Sequence, residues 1–524
     1  MRFFLFLFFI TGFAFCSAAQ QLNMPLNYQS SKDKFSVYPF YSCRPSRVPV
    51  VCRSHKSFRP LQTYLGQPSN NSQDSIAFEK KWFTRKLRHE SFVVIDTGDF
   101  FLTIDPLFRF ELGLDMADST HSGKDKLLFV NQRGLRVQAN LGSKVSFSSS
   151  FYENQAFLPG YLSDFVDLYD VAPGQGRVKT FKNRGFDYAM ASGYVSYSPN
   201  NKINIQFGHD KHFIGNGYRS LILSDNSFNY PFLRVTNKLG RFQFTNLYTS
   251  FKNTNVPLPT SPTTERRFQS KYATIQEIAC RIGRFELAMF EAVMWNGFES
   301  GDWISYINPI SMVRPFQFGL NGDVNVLLGL NSNYRISRTA IVYSQAVLDD
   351  YTANKWAIQI GIKGQHLFKV KGLYGQLEYN TATPYTYGHI DSTVAFTNYN
   401  QALSHPLGAA FDEVMGFLSY EKNGFFVNLK LQYASYLEDS LQTHHFGKDL
   451  FKSDITAEKN EGEEFATTLI NQHLELGYTF NKNTNLQAFF GFVNRTELND
   501  FWENHTQYVH FGLRTNLLNV YSDF

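Results

Sequence analysis

Apolar and polar residues alternate in short runs along most of this chain. In one run Phe108, Phe110, Leu112 and Leu114 are separated by Arg109, Glu111 and Gly113. Successive side chains of a β-strand point to opposite faces, so the alternation predicts strands with one apolar and one polar face. Similar runs occur at 135–141, 145–151, 203–207, 358–362, 373–379, 425–431, 474–480 and 486–492. The pattern therefore predicts an all-β protein.

Two kinds of connection separate these runs. Short turns are predicted at 142–144, 199–201, 335–338, 423–424 and 481–484, and long polar connections at 159–185, 253–270, 381–410 and 437–466. Asn423-Gly424 suits a type I′ turn, because both of its central positions need a positive φ. In outer-membrane barrels short turns face the periplasm and long loops face the outside.

The polar face of the strands carries many charged and amide side chains. Every backbone group must be paired within a bilayer, and only closure of a sheet removes its edges. We therefore predict a single-chain transmembrane antiparallel β-barrel over residues 92–524, with long extracellular loops. At roughly 20–25 residues per strand and connection, it should have about 16–20 strands, near 18. Phe524 is expected to end the last strand.

The N-terminus has the pattern of an export signal. Arg2 precedes an apolar stretch at 3–15 and small residues at 17–19, which predicts a cleaved signal peptide at 1–19 and delivery to the outer membrane. Residues 20–91 are polar and turn-rich, so we predict a small periplasmic segment with at most one helix, at 75–91. That helix could lie on the barrel mouth, on the inner leaflet surface or on the N-terminal segment.

Composition narrows the class further. Aromatic residues make up 17% of the chain and charged residues only 18%, as expected for a membrane barrel with aromatic girdles. The net charge of +5 comes without a dense basic block, which excludes a nucleic-acid site. Cys43 and Cys52 could form a small disulfide loop in an oxidising compartment. Cys280 is expected to be a small apolar side chain on a strand.

Enzymatic motifs are missing from the sequence. It contains no G-x-S-x-G, P-loop, H-E-x-x-H or paired C-x-x-C motif. His209 and His212 lack a third ligand nearby, so no metal site is predicted. We expect a non-enzymatic protein without a cofactor.

The alternation stops at residues 208–231, where charged, amide, glycine and aromatic residues crowd together. Arg219 can contact a carboxylate or phosphate with two hydrogen bonds, and tyrosine rings can stack on sugars. The candidate ligand-binding residues are Asp210, His212, Tyr218, Arg219, Asp225 and Tyr230. The alternative is that this loop folds into the lumen as a constriction and that its polar groups satisfy one another.

Four stretches carry a resemblance to a known family. They are residues 92–115, 133–159, 207–232 (FGHDKHFIGNGYRSLILSDNSFNYPF) and 308–318 (NPISMVRPFQF). The chain resembles the Wzi-like outer-membrane capsule-assembly barrels, in particular the Bacteroidetes branch labelled gliding-motility protein RemB. The resemblance implies a barrel that attaches or organises surface polysaccharide and that supports gliding motility or adhesion.

Three functions are consistent with these observations. The first is a polysaccharide-binding barrel, whose partners would be outer-membrane lipid or lipopolysaccharide, surface polysaccharide and envelope motility or export components. The second is a general diffusion porin or transporter. The third is an embedded hydrolase, which the missing catalytic motifs disfavour.

Overall fold

The computed structural model describes residues 82–120, 126–258, 267–297, 303–309, 324–337, 339–350, 354–438, 445–452, 466–515 and 521–524. The predicted signal peptide at 1–19 and the Cys43–Cys52 pair lie outside the described residues, as does most of segment 20–91. Within the described residues, no helix is long and apolar enough to cross a bilayer.

Antiparallel strands make up most of the described chain. They are β1 (Val93–Asp96), β2 (Phe100–Asp115), β3 (Leu127–Leu141), β4 (Val145–Phe157), β5 (Lys179–Phe181), β6 (Gly185–Tyr197), β7 (Ile203–Asp210), β8 (Tyr230–Leu239), β9 (Phe242–Leu258), β10 (Arg267–Ile282), β11 (Phe285–Asn296), β12 (Asn325–Arg335), β13 (Ala340–Asp350), β14 (Lys355–Gln365), β15 (Leu373–Ala382), β16 (Thr397–Asn398), β17 (Gln401–Ala402), β18 (Phe411–Lys422), β19 (Phe425–Leu437), β20 (Ala466–Asn481), β21 (Leu486–Leu498) and β22 (Glu503–Arg514). The helices are α1 (Trp82–Arg88), α2 (Gly160–Tyr169) and α3 (Trp303–Tyr306), with 3₁₀ turns at Leu367–Lys369 and Ser392–Val394.

Eighteen of these strands form a closed ring, which confirms the predicted barrel. The ring closes where β22 pairs with β2, from Arg109 opposite Arg514 to Asp115 opposite Tyr508. This pairing covers only the second half of β2. β1 folds back and pairs with the first half, from Val93 opposite Ile104 to Asp96 opposite Phe101, so that most of this edge of β2 is paired.

Alternation sorts side chains between the two faces of the wall as predicted. On β2, Phe110 is 48% exposed and Leu112 is 43% exposed, whereas Glu111 between them is buried. An apolar outer face on a closed barrel is the architecture of outer-membrane β-barrel proteins.

The turns at one end of the barrel are short, as predicted. Asn423 (φ 53°) and Gly424 (φ 88°) form the two-residue turn between β18 and β19, and both have the positive φ of a type I′ turn. One predicted long loop is shorter than expected, because β9 continues to Leu258 and β10 begins at Arg267. We refer to the short-turn end as periplasmic and to the opposite end as extracellular.

Helix α1 lies at the periplasmic end, beside the turn between β20 and β21. The Asn481 amide donates to the carbonyls of Lys86 (2.9 Å) and Glu90 (2.8 Å), and the Asn483 amide donates to that of His89 (2.7 Å). Of the three predicted positions for a helix in this region, the hydrogen bonds place α1 against the barrel mouth.

The expectation that Phe524 ends the last strand is wrong. The last strand of the ring, β22, ends at Arg514. Residues 521–524 form no strand. Tyr521 and Asp523 are buried, and the Phe524 ring centroid lies 4.8 Å from that of Phe165 on α2. These residues therefore contribute to the contents of the barrel and not to its wall.

Candidate functional site inside the barrel

The connection between β7 and β8 lies within the barrel. We call residues 211–229 the plug, because almost all of them are buried. Leu221, Ile222 and Leu223 are less than 1% exposed and belong to one apolar cluster with inward side chains such as Phe290 and Leu327. The barrel interior is thus partly an apolar core.

Arg219 is the central charged residue of the plug, and its side chain is fully buried. Its Nη1 lies 3.1 Å from Asp523 Oδ1, and its Nη2 lies 3.1 Å from Glu413 Oε1 on β18. Nη2 also donates to the Asp523 carbonyl at 2.5 Å. One guanidinium therefore joins the plug, the wall and residues 521–524.

The two buried carboxylates have further partners. Lys430 Nζ lies 2.7 Å from Asp523 Oδ2, and the Gln432 amide donates to Glu413 at 2.7 Å. Burial by itself would raise the pKa of Asp523, but Arg219 and Lys430 lower it far below its usual value. Burial would likewise lower the pKa of Arg219, and Asp523 and Glu413 raise it. Both groups are therefore charged and mutually neutralised.

Glu378 on β15 holds the plug backbone. Its carboxylate accepts the Tyr218 N–H at 2.7 Å and the Arg219 N–H at 3.0 Å. On β14, the Gln359 amide donates to the Arg219 carbonyl at 3.0 Å and Lys363 Nζ donates to the Asn216 carbonyl at 2.5 Å. Inward side chains of the wall thus replace the hydrogen bonds that this irregular segment cannot make with itself.

Gly217 permits this close approach. A Cβ added at this position would overlap the Glu378 carboxylate and lie 2.7 Å from the Arg219 carbonyl oxygen. A larger residue would push the plug away from Glu378, which explains a glycine where the backbone passes close to the wall.

A second loop, residues 383–410, packs against the plug. The Tyr387 hydroxyl donates to the Leu221 carbonyl at 2.8 Å, and the Ser224 N–H donates to the Leu403 carbonyl at 2.7 Å. The predicted long loop between β15 and β18 therefore turns inward instead of extending from the surface.

His405 from this second loop completes the charged cluster. Its Nε2 lies 2.8 Å from Glu413 Oε2, and its Nδ1 accepts the Leu407 N–H at 3.2 Å. Since Nδ1 needs a free lone pair for that bond, the ring is neutral with its proton on Nε2. Burial lowers the pKa of His405 and favours the same neutral form.

At the extracellular side of the plug, Lys211 contacts the connection between β4 and β6. Its Nζ donates to the carbonyls of Gly174 (2.5 Å) and Asp225 (3.2 Å). Burial lowers the pKa of Lys211 to about 8. The Asp225 carboxylate in turn accepts the Tyr521 hydroxyl at 2.7 Å.

All six candidate ligand-binding residues lie in this region, and each is at most 8% exposed. Tyr218 donates its hydroxyl to Asp523 at 2.7 Å, and the Tyr230 hydroxyl accepts the His212 N–H at 3.1 Å. Asp210 accepts the Lys211 N–H at 2.8 Å. The six residues are thus brought together inside the barrel, and their role in ligand binding stays a prediction.

The sequence reasoning missed the residues that hold the plug. Glu378, Glu413 and Lys430 lie on strands distant along the chain, and Asp523 lies beyond the last strand. The available signal in the sequence was a charged residue at an inward position, but alternation does not show which inward side chains contact one another.

Cys280 is half-buried on β10 and forms no disulfide with any described residue. No cluster of three metal-ligating side chains occurs within the described ranges.

Comparison with solved structures returns outer-membrane barrels of two kinds. One is Wzi of Escherichia coli, described as an outer-membrane protein involved in group 1 capsule assembly and a carbohydrate-binding β-barrel; it has a TM-score of 0.48 and 15% identity over 79% of this chain and 85% of that chain. OccAB2 of Acinetobacter baumannii has a TM-score of 0.42 and 10% identity over 79% and 97% of the two chains. OprD of Pseudomonas aeruginosa has a TM-score of 0.41 and 10% identity over 81% and 98%.

No protein-family model matches the sequence, and no curated protein matches it. At these identities the similarity concerns the barrel fold alone.

Proposed function

We propose that this chain is a non-enzymatic outer-membrane barrel that binds or organises surface polysaccharide. The plug is the observation that carries the proposal. It is held by Arg219, Glu378 and residues 521–523, and a second inward loop packs against it. A segment buried and bonded on several sides suits a closed scaffold better than an open pore.

The resemblance at residues 207–232 supports the polysaccharide part of the proposal, because that stretch contains the whole plug. In a closed barrel, a polymer would bind at the extracellular face, which the loops and α2 form. Arg219 and Tyr230 are then positioning residues, since at 0% and 1% exposure they cannot touch a polymer in this conformation.

Export by a signal peptide at 1–19, contact with lipopolysaccharide and a role in gliding motility or adhesion belong to the same proposal. A deletion strain should lose surface polysaccharide retention, surface spreading or both. Complementation with the parent gene provides the control.

The direct test uses the full protein in detergent micelles and the surface polysaccharide purified from the same strain. We expect saturable binding by the parent, weakened in Arg219→Ala and Tyr230→Ala through a change in the plug. Planar-bilayer recording should show little steady conductance. A large steady conductance without polysaccharide binding would favour the diffusion porin instead.

A further inference from the structure

A separate cavity of about 530 Å³ lies at the extracellular mouth. We call it the mouth cavity; α2 lies on one side, and the extracellular ends of β2, β3, β4, β6 and β22 lie on the other. Leu128, Phe186 and Thr506 are buried inward residues that line it. Its size falls within the range of about 300–1,000 Å³ that is typical of small-ligand sites.

Helix α2 presents two carboxylates to this cavity. Asp164 and Asp167 are three residues apart, so they lie on one face of the helix. Both are exposed, and within the described part of the chain neither has a hydrogen bond or an ion pair. Burial, and then the neighbouring Asp167, raises the pKa of Asp164. These carboxylates are acceptors available to a ligand that brings hydroxyl or ammonium donors.

An aromatic ring in the cavity wall is held in place. The Tyr161 hydroxyl donates to the Ser522 carbonyl at 2.9 Å, and the Arg495 guanidinium lies 4.6 Å from the ring centroid. A fixed ring offers apolar area with little loss of conformational entropy. Together with the free carboxylates, it makes a polar site with one apolar side, which suits a sugar ring.

The charge of the lining selects among saccharides. Among the described residues that line the cavity, Asp115, Asp118, Asp164 and Asp167 are acidic, and Arg184 and His505 are basic. The excess of carboxylates repels an acidic polymer. We propose that the mouth cavity binds a neutral or amino-bearing segment of a saccharide chain, with Asp164 and Asp167 accepting hydrogen bonds from its hydroxyl or ammonium groups. This inference rests on the proposed function and names its ligand class and site.

Three tetrasaccharide probes of similar size test the charge selection. Chitotetraose carries amines, its N-acetylated form is neutral and tetragalacturonate is acidic. Calorimetric titration of the full protein in detergent, at low salt and mildly acidic pH, should show affinity falling in that order. Tighter binding of tetragalacturonate, or no binding of any probe, overturns the proposal.

Substitution tests the site itself. Asp164→Asn/Asp167→Asn keeps the side-chain shapes and should weaken chitotetraose binding about 3- to 30-fold, as expected for the loss of two exposed charge pairs. The control is Asp99→Asn/Asp500→Asn, which removes two exposed carboxylates that do not line the cavity. Equal weakening by both double variants, or no weakening by the first, overturns the assignment.

Binding of the native surface polysaccharide distinguishes a failure of this inference from a failure of the proposed function. If the parent and Asp164→Asn/Asp167→Asn bind it equally, the mouth cavity is not the site and the proposed function stands. If the parent does not bind it at all, the proposed function fails.

Discussion

Replacing Arg219 with methionine should release the plug. The guanidinium is fully buried between Glu413 and Asp523, and methionine keeps much of its length without its charge. The substitution leaves two carboxylates inside the barrel without their shared cation. We therefore expect the closed arrangement of the plug to be weakened more than the strand pairing of the wall.

The contacts that Glu413 and Asp523 keep in Arg219→Met determine how much the closed plug is destabilised. Removing one partner of a buried ion pair costs about 3–5 kcal/mol. Here Lys430 still neutralises Asp523 at 2.7 Å, and Glu413 keeps His405 at 2.8 Å and Gln432 at 2.7 Å. We therefore expect a loss near the lower end, about 3 kcal/mol, which lowers the ratio of closed to open plug by roughly two orders of magnitude.

Single-channel recording in planar bilayers measures this change directly. Arg219→Met should show frequent openings where the parent shows few, and an added protease should cut within residues 211–229 more readily. The matched control is Arg241→Met, an exposed arginine in a periplasmic turn. Adding Glu413→Gln to Arg219→Met should restore part of the closure, because Asp523 keeps Lys430 and no buried carboxylate is then left without a cation. If Arg219→Met conducts and resists protease like the parent, the ion cluster does not hold the plug.

Three further predictions follow from the same contacts. Tyr521→Phe leaves the buried Asp225 carboxylate without the 2.7 Å hydroxyl bond and should weaken plug closure by about 1–3 kcal/mol, measured as a rise in open probability. Ile360→Arg, at the outward centre of β14, should lower the free energy of unfolding in lipid vesicles by about 2–4 kcal/mol. The pKa of His405 in the closed protein lies below its unfolded value of about 6.5. The neutral ring therefore contributes its full stability above about pH 6.5, and this stability is lost as the pH falls below that value. Channel opening should increase on acidification.

Each of these predictions has a control. In a protein that already carries Asp225→Asn, adding Tyr521→Phe should raise the open probability much less than it does in the parent, because the buried charge is gone. Ile360→Leu should have the same free energy of unfolding as the parent. In His405→Gln, the open probability should depend less on pH than it does in the parent. The first prediction is contradicted if Tyr521→Phe leaves the open probability unchanged. The second is contradicted if Ile360→Arg has the same free energy of unfolding as the parent, and the third if His405→Gln responds to acid as the parent does.

Much of the barrel could be predicted from the sequence, because its signals are local. Side chains of a strand alternate between faces whatever the strand pairs with, so the outward position of Phe110 and the inward position of Glu111 could be read from the chain. Asn423-Gly424 required its own turn type. Dividing residues 92–524 by the typical length of a strand and its connection predicted about 16–20 strands, near 18, and the ring has eighteen.

The break in alternation at residues 208–231 was also visible in the sequence, but its position inside the barrel was decided by tertiary contacts. Arg219 meets Glu413 and Asp523, which lie 194 and 304 residues away along the chain. The sequence alone determined that this segment could not be a strand and carried charge that needed partners. Only closure of the wall brought those partners within hydrogen-bond distance, because alternation defines the face on which a side chain lies but not which side chain it meets across the lumen.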